Sequence, residues 1–111
     1  MIFKIEENIF APDITEVDLS EKEIEYIAMM ISGVKQPKIK HILPITNSEL
    51  KKLYNKFGLT DKTKIRYMQI ATIVGMNDLI SEDTLLKVSK KYFLVECEEM
   101  IKVLKANSNN A

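Results

Sequence analysis

Residues 36–57 read QPKIKHILPITNSELKKLYNKF, a pattern that calls for two short helices with a tight break between them. Pro37 suits a first helical turn, where its missing amide proton would find no intrahelical partner anyway. Ile39, Ile42 and Leu43 supply a short apolar face. Pro44 stops the helix, because proline disfavours helical geometry at the residue before it. The helix is about two turns long at a rise of ~1.5 Å per residue. Thr46 then starts the next helix with Glu49 at capping-box spacing, so hydroxyl and carboxylate each satisfy a free backbone amide. Leu50, Leu53, Tyr54 and Phe57 recur at i, i+3, i+4 and i+7 and mark its buried side. Asn47, Ser48, Lys51, Lys52, Asn55 and Lys56 are left for the other side, and Gly58 ends the helix.

Upstream, Ser20 and Glu23 form a second capping box. It opens a helix whose Ile24, Ile27, Ala28 and Ile31 share one face and which Gly33 ends. Residues 1–17 alternate only weakly and read as an extended arm or short strand ending near Pro12. Downstream, Thr60 or Asp61 is expected to cap a helix over roughly 61–75. Its stripe of Tyr67, Ile70, Ala71 and Val74 is widened by Ile65, Met68 and Ile73, so it is either central or in contact with a partner. Gly75 to Asp78 breaks that pattern. Ser81 caps a last helix, roughly 82–106, in which Leu86, Phe93, Cys97, Met100 and Leu104 follow heptad-like spacings. Leu85, Val88 and Tyr92 give it a second face, and residues 107–111 form a frayed polar tail. The expected fold is all-α: a helix-turn-helix bundle of about five helices with a short extended N-terminal arm and a long C-terminal helix. Its divisions are an arm (1–17), a helix-turn-helix domain (18–80), and a C-terminal helix with its tail (81–111).

The 111 residues suit one domain with one modest core. At 46% hydrophobic the composition is that of a globular chain, and no apolar run reaches membrane-spanning length. Acids at Glu6 and Glu7 stand where a signal peptide carries bases, and Cys97 has no second cysteine to pair with. A reducing cytoplasm is the expected location. The net charge is zero, with 16 basic and 16 acidic residues, but the charges are segregated. Residues 1–32 hold two bases against eight acids, a net of −6. Residues 33–66 hold nine bases against Glu49 and Asp61, a net of +7, and residues 67–111 hold five bases against six acids, a net of −1. A basic block between acidic ones is the footprint of a local polyanion site, and here it falls on the helix pair of 36–57.

That coincidence gives the pair a chemistry. Lysines neutralise phosphates and release counterions, amide side chains pair with base edges, and a helix N-terminus offers amides to a phosphate. The residues expected to meet double-stranded DNA are Asn47, Ser48, Lys51, Lys52, Asn55 and Lys56, with Lys38 and Lys35 beside them. Leu19-Ser20-Glu21-Lys22-Glu23, Gly33, Lys38-Ile39, Leu43, Ile45-Thr46, Leu50-Lys51 and Lys56-Phe57-Gly58-Leu59 together resemble the LuxR/GerE-type helix-turn-helix over about residues 18–75. The resemblance implies that Ser48, Lys51 and Lys52 contact DNA, together with Asn47 and Asn55. It also implies that Tyr67 to Val74 lies in the helix that often forms the dimer contact. The chain departs from the family in three ways. The stretch from Leu50 to Gly58 is about four residues short, two prolines frame the second helix, and a long helix follows where family members end. Fewer than twenty residues precede the domain, so no sensor domain is expected ahead of it. The opening Leu19-Ser20-Glu21-Lys22-Glu23 also resembles region 4 of sigma factors, whereas the closing Lys56-Phe57-Gly58-Leu59 favours the LuxR/GerE type.

Other chemistry finds little support. His41 is the only histidine and has no ligand partner at metal-binding spacing. Cys97 sits among apolar residues and reads as an inert thiol. Glu96, Glu98 and Glu99 read as a solvated face, and three glycines cannot supply a phosphate-cradling loop. No enzyme activity, metal or cofactor is expected. The first expectation is a DNA-binding transcriptional regulator acting as a homodimer, with Tyr67, Ile70, Val74, Phe93, Met100 and Leu104 as candidate dimer contacts. The second is an interaction module, such as a phage or plasmid factor that uses the same fold to bind a host regulator protein. Burial of the Lys51 and Lys52 face by the last helix or by residues 1–12 would exclude the first.

Overall fold

A computed structural model describes residues 1–60 and 65–109 of the chain. Two short strands, β1 (Ile2–Lys4) and β2 (Glu16–Asp18), precede five helices: α1 (Glu21–Ile31), α2 (Gln36–Ile42), α3 (Asn47–Lys56), α4 (Arg66–Met76) and α5 (Glu82–Asn109). The class is all-α, with a long C-terminal helix. None of the described helices is long and apolar enough to cross a membrane.

Local signals set most helix ends. Both capping boxes form: the Ser20 and Thr46 hydroxyls accept from the amides of Glu23 and Glu49, whose carboxylates accept from the cap amides in return. Three helices end in the same way. Gly33 and Gly58 take positive φ, as does Asp78, and the next amide reaches back to a helical carbonyl: Val34 to Met29, Leu59 to Tyr54, Leu79 to Val74. Val34, Leu59 and Leu79 are then tucked into the core, as the left-handed helix ending favours.

Residues 1–17 take the short-strand form and pack on the domain. β1 and β2 pair antiparallel in the register Ile2 to Asp18 and Lys4 to Glu16, and the Ile5 amide donates to the Thr15 carbonyl at 2.8 Å. Ile5 and Val17 enter the core. Buried Asn8 stabilises the loop between the strands: its side-chain oxygen accepts from the amides of Phe10 and Ala11. α4 departs from its expected start. It starts at Arg66 with Ile65 at its N-cap and runs through Gly75 to Met76, so it is not capped from Thr60. The expected cap Asp61 lies outside the described residues. α5 starts after Ser81, whose hydroxyl accepts from the Thr84 amide, and it continues three residues past the expected end.

One core joins the elements, with Leu19, Tyr26, Ile27, Met29, Ile39, Leu53, Phe57, Ile70 and Ile73 buried at its centre. The same packing overturns two expected dimer contacts: Ile70 and Val74 face inward and are closed off by their own chain. Tyr67, Phe93, Met100 and Leu104 remain on the surface. α5 packs through Leu85, Val88 and Tyr92 and then runs on past the core, and the molecule is 61 Å long against 30 and 19 Å.

Candidate nucleic-acid interface

Leu43 to Thr46 form the break between α2 and α3, the short turn that a helix-turn-helix requires. Leu43 and Ile45 are buried on either side of exposed Pro44, which ties the turn to the core. Two consecutive residues of α1 then hold α3 near both ends. The Lys22 ammonium meets the Glu49 carboxylate and the Pro44 carbonyl, both at 3.1 Å. The buried Glu23 carboxylate meets the Lys56 ammonium at 2.6 Å while still serving the Ser20 cap. The Thr46 amide first, and Lys22 after it, hold the Glu49 carboxyl below its usual range. At the far end Gly58 packs against Ala11 and Ile14 of the loop between the strands.

Leu50, Leu53 and Tyr54 point inward, and these ties pin the side carrying Glu49 and Lys56. What remains is a single stripe: Ser48, Lys51, Lys52 and Asn55, all exposed and spaced i, i+3, i+4, i+7. Among the described residues Lys51 and Lys52 form no ion pair. Neither α5 nor residues 1–12 cover this face, so the condition that would have excluded a DNA contact is not met.

The other expected contact residues divide. Asn47 is exposed beside the stripe, and its side-chain oxygen accepts from the Lys40 ammonium. Lys56 is committed to Glu23. Lys38 is turned away altogether, with its ammonium 2.6 Å from Glu99 and 3.1 Å from Glu96 on α5. These two carboxylates, Glu99 first, raise the Lys38 pKa, and Lys38 in return lowers that of Glu99. Lys38 is thus a link between α2 and α5. Lys35, at the N-cap of α2, is exposed but lines a different groove, with Tyr26, Met30, Ile39 and Tyr67.

The residue the sequence reading passed over is Arg66. Its guanidinium lies 4.6 Å from the centroid of the Tyr54 ring. A shallow groove of about 260 Å³ brings Arg66 together with Gln36, Asn47, Lys51 and Tyr54 at one edge of the stripe. The available signal was a basic residue opening the helix after the motif, in a block already counted as basic. Lys62 and Lys64 of that block lie outside the described residues.

Compared with protein-family models, curated proteins and solved structures, the chain matches none of them.

Proposed function

We propose that the chain binds double-stranded DNA through the outer face of α3 and acts as a transcriptional regulator of the helix-turn-helix kind, in line with its LuxR/GerE-type resemblance. The observation that carries this reading is the uncovered stripe of Ser48, Lys51, Lys52 and Asn55, flanked by Arg66. From Ser48 to Asn55 it runs about 10 Å along the helix, which fits a major groove about 12 Å wide. A helix of ten residues is therefore long enough to present the whole stripe. Lys51 and Lys52 neutralise phosphates on this reading, Asn55 pairs with an adenine edge, and Arg66 holds a phosphate at the rim.

Titrating labelled duplex DNA at several salt concentrations tests it. Binding should weaken steeply with salt. The Lys51→Glu, Lys52→Glu double variant should lose binding with its helix content and melting unchanged. Arg66→Ala should flatten the salt dependence by about one unit of slope. Absence of binding, or affinity indifferent to salt, would sink the DNA reading. A stable protein partner on the same face without DNA affinity would replace it with the interaction-module reading.

A further inference from the structure

α5 has two unlike faces. Toward its own core it turns Leu85, Val88 and Tyr92, and Glu96 and Glu99 continue that side as partners of Lys38. About a third of a turn away lie Leu86, Phe93, Cys97, Met100 and Leu104, with Leu94 and Ile101 alongside on the side farther from the core. Apart from half-buried Cys97, these side chains are 50–67% exposed. Together they expose on the order of 700 Å² per protomer, beyond what a monomer usually leaves in one patch and close to the ~800 Å² each partner buries in a stable complex.

We propose that this face is covered by α5 of a second copy, running antiparallel. Lys90 decides the direction. It is the one charged residue on the heptad seam, between Leu86 and Phe93. A parallel, in-register pair would set the two Lys90 ammonium groups side by side against apolar surface. An antiparallel pair with its dyad beside Val95 instead places Leu86 against Leu104, Lys90 against Met100 and Phe93 against Cys97, each contact occurring twice. The two Lys90 groups are then ten residues apart along the seam, about 15 Å. Each stem lies along Met100 while its head reaches water. Leu94 lies at the dyad and meets its own copy. The pairing stands whether or not α3 binds DNA.

Sedimentation equilibrium of the full chain, from micromolar to hundreds of micromolar, tests the pairing. The wild type should dimerise. Leu94→Asp places a charge at the dyad twice and should weaken the dimer by about a hundredfold or more, with the monomer still folded by circular dichroism. A wild type that stays monomeric, or a dimer indifferent to Leu94→Asp, overturns the proposal. Direction is read by oxidative cross-linking in a Cys97→Ser background. Leu104→Cys alone should give no covalent dimer, whereas a mixture of Leu86→Cys and Leu104→Cys chains should give one. Cross-linking of Leu104→Cys alone would overturn the antiparallel arrangement.

Discussion

Gly58 is where a single residue carries most consequence. Its φ of +76° is a conformation that side chains resist, and a Cβ there would lie 2.6 Å from the Ala11 Cβ and 3.1 Å from Ile14. Gly33 has a similar φ of +91° but open space around it. Gly33→Ala should therefore cost about 1 kcal/mol from the backbone alone. Gly58→Ala should cost roughly 2–3 kcal/mol, because the loop between the strands must also move. Urea midpoints of the two variants measure the difference, and equal losses would mean that the Ala11 contact carries no energy. The closing Gly58 was legible in the sequence as a helix stop. Its second role was not, because Ala11 is 47 positions away and nothing local announces that the two meet.

At the scale of elements, α3 and α5 are each positioned by a few ionic contacts, and those on α5 are pH-sensitive. The pKa of Glu99 is depressed in the folded protein, so its contribution is complete above the ordinary value of 4.5 and is lost as pH falls through the depressed one. That of Lys38 is raised, so its contribution is complete below the ordinary 10.5 and is lost as pH rises through the raised one. Between those limits the link from α2 to α5 is intact. Lys38→Met should lower the melting temperature at neutral pH, and the gap to wild type should close as the solution is acidified below the ordinary carboxylate range. A gap that stays constant in acid would assign the effect to packing of the lysine stem. The helices themselves were legible: two capping boxes, two closing glycines and one apolar stripe each placed α1 and α3 within a residue or two. α4 was less so, because Thr60 offers a plausible cap that the helix, starting at Arg66, does not use.

At the scale of the whole molecule, the strand pair is joined to the far end of α4 by one side chain. Asn77 accepts from the amides of Glu6 and Glu7 at 2.9 Å and donates to the Glu7 carbonyl at 2.7 Å. Asn77→Ala should cost about 1–2 kcal/mol, since water replaces part of what is lost at this exposed site. It should also open residues 1–18 to proteolysis before the helices unfold. Protection of that segment equal to wild type would show that Ile5 and Val17 hold it without the asparagine. The sequence by itself determined the all-α class, the helix-turn-helix pair and the polar face of α3, because caps, periodicity and proline act over neighbouring residues. Only the tertiary structure decided which bases remain free. Lys38 and Lys56 read like Lys51 and Lys52 along the chain, yet Glu99 and Glu23, distant in sequence, engage the first two. In the same way Ile70 and Phe93 are alike as apolar residues, and only the packing of α4 into the core, with α5 running past it, buries one and leaves the other exposed.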